Sequence, residues 1–346
     1  MDIFDCGTAF VADTVGSLAS RMPALSKALK GLAADMQAGG QHHEHVMRSS
    51  KALADALGSQ LDELRLQADA CSADGRELSA ALTAVALVGA VACTRSSQAT
   101  AAVALLDGAL LRARDQDEAH KSLLHGALSV LDDVSLPAPK RQRAHHWGHL
   151  SDPAVAPPAV SLPSFGSAVS SVARGSPELT ALVKAASAPA VIPGLASEWP
   201  ALERWADPQY LLTVAGQRLV PIEVGASHLV DSSGGGVCAQ QVLCTMSDFI
   251  GRCVLSGQTA TRHDSQPSAV SATVPVTAAR TRGYLAQHRL FDQVPALGAD
   301  IKTPGVVPPH ADSRAWFGPP GVSTPVHYDH HHGMLVQVFG YHRSPP

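Results

Sequence analysis

The chain has 346 residues, more than one average domain, and its 45% apolar and 16% charged composition excludes global disorder. A formal net charge of −4 leaves no overall basic field, which argues against non-specific nucleic-acid binding. Aromatic residues make up only 4%, so the cores must be built mainly from Ala, Leu and Val.

The first residues, Met1 to Asp5, carry acids where a secretory signal would carry Lys or Arg, and this predicts a cytosolic or nuclear chain. The first 135 residues read as a helical domain. Leu18, Met22, Leu25, Leu29 and Leu32 recur at three- and four-residue steps, with Pro23 marking a kink or a helix start. Leu53, Leu57, Leu61, Leu64 and Leu66 form a second such stripe. Leu78 to Ala92 is apolar on nearly all sides and is expected as the central helix. Its apolar run, Ala80 to Cys93, is too short for a bilayer crossing, so a buried core helix is the better reading. Two further amphipathic runs follow, Ala99 to Arg112 and Glu118 to Leu131. The cysteines (Cys6, Cys71, Cys93, Cys238, Cys244, Cys253) show no C-x-x-C pair and read as buried thiols.

Residues 136–175 change character. Repeated prolines break any helix, and the segment reads as a linker carrying the basic cluster Lys140-Arg141-Gln142-Arg143. That cluster has two readings, a nuclear import signal or a solvated linker. From Pro189 the pattern is α+β: a short strand at Ala190 to Ile192, a helix from Asp207-Pro208 through Ala215, and a strand from Arg218 to Val224. In that strand Val220, Ile222 and Val224 share a face. A helix capped by Thr245 or Ser247 is expected through Leu255. Residues 258–280, rich in Ser, Thr, Ala and Pro without a period, are expected to be a disordered insertion. Trp199, Trp205, Trp316 and Phe317 are read as core, and Glu223 and Asp292 as acids that no recognised motif pairs.

The chemistry concentrates near residue 327. His327 and Asp329 form an H-x-D pair, and on an extended strand residues two apart project to one face. An imidazole nitrogen and a carboxylate oxygen placed so converge on one cation. With a second His from a distant strand they form the facial triad of non-haem Fe(II) oxygenases. The alternative for an isolated H-x-D is a polar strand end. His331 shares the parity of the pair, but four extended residues span roughly 13 Å, too far for one metal sphere. His42, His43 and His45 read as a solvated helix end.

Context favours the metal reading. Gly283-Tyr-Leu-Ala-Gln-His-Arg-Leu-Phe-Asp-Gln-Val-Pro295, Ala315-Trp-Phe-Gly-Pro319, Thr324-Pro-Val-His-Tyr-Asp329 and Leu335-Val-Gln-Val-Phe-Gly340 together resemble the JmjC-domain oxygenases. The upstream Pro189 to Pro200 and Val220-Pro-Ile-Glu-Val-Gly225 match in style and order. The resemblance covers residues 176–346, and it implies an α+β chain: a helical front domain followed by a cupin-like double-stranded β-helix, or jelly-roll. It also implies Fe(II) and 2-oxoglutarate as cofactor and co-substrate, with O2 as oxidant. The implied partner is a protein substrate, a histone or another nuclear protein, modified by arginyl hydroxylation or methyl-lysine demethylation. No membrane partner and no direct nucleic-acid contact are expected. Carried over by position, His327 and Asp329 match metal ligands, and Tyr284, Gln287, Thr324 and His342 match contacts to 2-oxoglutarate. Two positions depart from the family: Gly333 stands for an Asn, and His342 for a Lys that reaches the far carboxylate. The family's distal His and later strands have no counterpart within 1–346. The expectation is therefore a jelly-roll truncated at its C-terminus, and the competing reading is an inactive helical adaptor joined to a broken cupin fragment.

Overall fold

The computed structural model describes residues 3–38, 42–66, 73–113, 118–133, 169–185, 189–225, 240–255, 282–308, 311–319, 322, 324, 329 and 331–340. Contacts divide the chain into two units. One comprises Met1–Lys140 with Gln217–Leu219, the other Arg141–Gly216 with Val220–Pro346. The expected linker lies largely outside the described residues, as does the expected insertion at 258–280.

The first unit is built from helices α1 (Ile3–Arg21), α2 (Pro23–Ala38), α3 (His43–Leu66), α4 (Ala73–Arg95), α5 (Ala99–Leu110) and α6 (Glu118–Asp133). Pro23 starts a helix rather than kinking one: α1 stops at Arg21, and the missing proline N–H falls in the first turn, where helical donors have no partner anyway. α4 packs against each of the other five helices. By length and composition it is apolar enough to cross a membrane, yet 83% of that stretch is buried inside the unit, so it is a core helix. The small residues Ala81, Ala84, Ala86, Ala90 and Ala92 on α4 are fully buried. They let neighbouring helices approach closely, which explains how a core so poor in aromatics still closes.

A buried ion pair sits inside this unit. Asp107 on α5 is fully buried and receives a bidentate hydrogen bond from Arg218, Nε at 2.9 Å and Nη2 at 2.7 Å. The Leu219 N–H donates to the same carboxylate at 2.9 Å. The short segment Gln217–Leu219 belongs by its contacts with the helices because this ion pair anchors it there.

The second unit opens with a parallel pair, β1 (Ser170–Ser171) and β2 (Ala190–Val191), flanking α7 (Pro177–Ala185). Then come α8 (Ala201–Arg204), α9 (Pro208–Ala215), β3 (Leu219–Gly225), β4 (Gln240–Thr245), α10 (Met246–Phe249), β5 (Arg282–His288), α11 (Leu290–Gln293), α12 (Pro295–Gly298) and β6 (Ala315–Phe317). α9 begins where the sequence places it, with the Asp207 carboxylate accepting from the Gln209 N–H at 2.8 Å and Pro208 in the first turn. Thr245 caps α10 through the Asp248 N–H. The helix expected through Leu255 is α-helical only to Phe249, and Ile250–Leu255 is a π-helical turn. The larger sheet runs β4-β3-β5-β6, with β5 antiparallel to both neighbours. Its inner face (Val220, Ile222, Leu285) packs on Phe249 and Ile250, and Phe317 meets Phe249 edge-on at 5.3 Å.

A carboxylate ties the short helices together. Asp300 is fully buried and accepts from the Arg204 guanidinium (2.6 Å), the Trp205 indole N–H (2.9 Å) and the Tyr210 hydroxyl (2.6 Å). Its own backbone carbonyl takes the Ala201 N–H at 3.0 Å. Burial alone would raise this carboxyl's pKa; the Tyr210, Trp205 and Arg204 donors outweigh it and hold the pKa below the ordinary value.

One expectation is corrected: Trp316 is not core, since its side of the short β6 faces away from Phe249 and it is 50% exposed. Among the described residues Leu335–Phe339 forms no strand, although half-buried Met334, Val336 and Val338 alternate with exposed Leu335 and Gln337.

Candidate functional site

The sheet register decides which side chains meet. Glu223 on β3 lies opposite Tyr284 on β5, and Leu285 lies opposite Phe317 on β6. Directly opposed residues point to the same side of a sheet. One face therefore carries Ile222, Leu285 and Phe317 into the core, and the other carries Glu223, Tyr284 and Trp316. The sequence alternation of Val220, Ile222 and Val224 implies this for Glu223, since the residue between two core positions must face the other way.

Tyr284 sits at the centre of that outer face. Gly318 lies directly beneath it, and a β-carbon at 318 would come within 2.7 Å of the tyrosine ring and 3.2 Å of Val322. Only glycine leaves room for the ring there. The Tyr284 phenol oxygen accepts a hydrogen bond from the Thr324 hydroxyl. Burial raises the phenol's pKa, the Thr324 bond opposes that, and the nearby Glu223 charge raises it again; the net shift is upward. The phenol thus stays a neutral O–H donor well past neutral pH.

Gln287 reaches this face by an irregularity. Between Leu285 opposite Phe317 and His288 opposite Ala315, β5 has one residue more than β6. Gln287 takes the left-handed conformation, φ 51°, in this β-bulge. Plain alternation would send Gln287 inward with Leu285. The extra residue instead lets His288 turn inward, where its Nε2 meets the Gln293 side chain at 2.7 Å, and leaves Gln287 exposed.

The metal pair stands differently. Asp329 is exposed and lies in no strand, while His327 and the rest of the expected Val326–Asp329 strand lie outside the described residues. His342 lies outside them as well. Among the described residues, no group of three or more His, Cys, Asp or Glu is gathered to hold a metal. Gly333 is exposed, and a β-carbon there would meet nothing within 4 Å, so an asparagine would fit. The structure thus brings Tyr284, Thr324 and Gln287 to one face of the sheet. It adds Glu223 and Trp316, which sequence reasoning had set aside. For Trp316 the missed signal was its neighbour: on a strand, Trp316 and Phe317 cannot both face the core.

No thiol nucleophile competes with this site among the described cysteines. Burial pushes Cys93 up to about 11 and Cys244, with Cys253 and Asp248 nearby, up to about 12. Cys244 and Cys253 are half-buried rather than fully buried as expected, and the Cys253 sulfur lies against Gly283 on the core side of β5.

The residues of this face fall within a segment similar to known proteins. Residues 177–343 match the family model described as a cupin-like domain. The chain is 36% identical over 162 residues to Jumonji C domain-containing protein 5 of Drosophila melanogaster, covering 45% of this chain and 35% of that protein. It is 37% identical over 156 residues to Lysine-specific demethylase JMJ30 of Arabidopsis thaliana, covering 44% and 30%. To Lysine-specific demethylase 8 of Danio rerio it is 37% identical over 160 residues, covering 44% and 33%. The matched segment thus spans about a third of the length of these relatives.

Proposed function

We propose that the protein is an Fe(II)- and 2-oxoglutarate-dependent oxygenase acting on a cationic side chain of a partner protein, because residues 177–343 match a cupin-like domain and resemble relatives named for the Jumonji C domain and for lysine demethylation. The reaction would be arginyl hydroxylation or methyl-lysine demethylation, and the partner a histone or another nuclear protein. The observation that carries the reading is the outer face of the sheet, where a hydroxyl pair, a carboxylate and an exposed indole lie together.

The donor set fits the co-substrate. A carboxylate needs O–H or N–H donors, and with its oxygen accepting from the Thr324 hydroxyl, Tyr284 keeps its own O–H free to donate. The raised pKa of Tyr284 keeps its proton in place to donate. Gln287 offers an amide N–H2 on the same face, and His342 would add an imidazole where the family has a Lys. His327 and Asp329 would hold the metal through a ring nitrogen and a carboxylate oxygen. The chemistry that Fe(II) and 2-oxoglutarate supply together when bound is oxidation of an unactivated C–H bond by O2, the co-substrate being converted to succinate.

Glu223 points to the substrate's charge. A carboxylate next to the anion-binding Tyr284 hydroxyl is unfavourable for an anionic substrate and favourable for a guanidinium or ammonium group. Trp316 adds an indole face, the best aromatic partner for a cation.

The test is co-substrate affinity, read by titration calorimetry with Mn(II) in place of Fe(II). Removing one hydroxyl donor to a charged group, Tyr284→Phe, is expected to weaken 2-oxoglutarate binding about tenfold, close to the low end for such a bond. Affinity unchanged in Tyr284→Phe contradicts the placement of the co-substrate.

A further inference from the structure

Gln287 can serve the site only while the bulge holds. A non-glycine residue at φ 51° is in a disfavoured region, and such a conformation persists only where its surroundings fix it. The structure supplies that fixation from the surface. The Arg314 guanidinium, just ahead of β6, donates through Nη1 to the Gln287 backbone carbonyl at 3.2 Å. Its Nε donates to the Asp312 carboxylate at 2.8 Å, and Nη2 bonds the same oxygen. Arg289, two residues past the bulge, donates to that Asp312 oxygen at 3.2 Å. Asp312 is thus gripped from both sides of the irregularity. The clamp joins the end of β5 to the start of β6 where their registers differ by one residue.

We propose that Arg314 is a positioning residue: by holding the Gln287 carbonyl while braced on Asp312 and Arg289, it keeps the bulge in place and the Gln287 side chain on the Tyr284 face. The proposal rests on the co-substrate reading given above for that face. The guanidinium suits the task because its fork bonds a carboxylate and a carbonyl at once, which a single ammonium does less well. Without it, Gln287 is free to relax toward the extended region, where alternation turns the side chain inward.

The test compares Arg314→Ala and Arg314→Lys with the wild-type chain. It reads 2-oxoglutarate affinity with Mn(II), deuterium uptake across residues 283–290, and the thermal midpoint. Arg314→Ala is expected to weaken 2-oxoglutarate binding about five- to tenfold, the usual effect of losing one ordinary hydrogen bond. Uptake around Gln287 should rise while the thermal midpoint stays at the wild-type value, and Arg314→Lys should fall between the two. Unchanged uptake overturns the proposal. So does faster uptake with unchanged affinity, which would leave a clamp with no positioning role. If the wild-type chain itself binds no 2-oxoglutarate, the co-substrate reading fails separately. Faster uptake in Arg314→Ala then still upholds the clamp, and unchanged uptake overturns it.

Discussion

Replacing Asp300 by alanine is expected to destabilise the second unit by roughly 3–5 kcal/mol, the usual cost of removing one partner from a buried charged network. The carboxylate is fully buried, and three donors from two short helices and the turn after α8 converge on it. Removing it leaves the Trp205 N–H and the Tyr210 hydroxyl facing a cavity, each bearing a desolvation cost with nothing in return. Arg204 contributes less to this loss, because its side chain is half exposed and water can replace the lost bond. Urea unfolding followed by Trp fluorescence reads the change, since Trp205 reports from the knot itself. The same network sets a pH dependence. Asp300 has a folded pKa below its unfolded value, so its stabilising contribution is complete above the ordinary carboxylate range. It is lost as pH falls through the lower, folded value. Asp300→Asn should therefore be less stable at neutral pH and lose less stability on acidification than the wild type. Parallel acid profiles for the two proteins would contradict this.

Asp107→Ala is the second large effect, also roughly 3–5 kcal/mol, because it leaves the Arg218 guanidinium buried without its counter-charge. The Leu219 N–H loses its acceptor in the same step. Buried pairs of this kind often stabilise little compared with apolar packing of the same shape. The double change Asp107→Leu with Arg218→Met is accordingly expected to recover most of the loss. Differential scanning calorimetry distinguishes the two proteins. A double variant no more stable than Asp107→Ala would show that the segment Gln217–Leu219 needs the specific geometry of the ion pair and not merely its volume filled.

Much of the scaffold was legible because it follows short-range rules. Leucine spacing located α2, α3 and α6, and Pro23 and Asp207-Pro208 marked helix starts that the chain uses. These features depend on backbone sterics and on residues three or four apart, which the sequence displays directly. The knots at Asp107 and Asp300 were not legible. Their partners lie 90 to 112 positions away, and nothing local distinguishes these aspartates from surface ones. The outer face of the sheet was half legible. Tyr284, Gln287 and Thr324 emerged from resemblance. The facing of Glu223 was available from alternation, and Trp316 was misassigned because aromatic residues are more often buried than displayed. Gln287 is the instructive position. Period-two reasoning turns it inward, and only the one-residue mismatch between β5 and β6 returns it to the site. A bulge is a tertiary compromise between two strands, so one strand's sequence does not announce it.

The most direct test of the oxygenase reading is conversion of 2-oxoglutarate to succinate by the purified 1–346 chain with Fe(II) and O2, measured beside His327→Ala and Asp329→Ala. The expected result is succinate formation by the wild-type chain that either substitution abolishes and that peptides bearing arginine or methyl-lysine increase. Succinate no higher than in the His327→Ala control would contradict the oxygenase reading of this chain and favour its role as a helical adaptor carrying a cupin-like fragment.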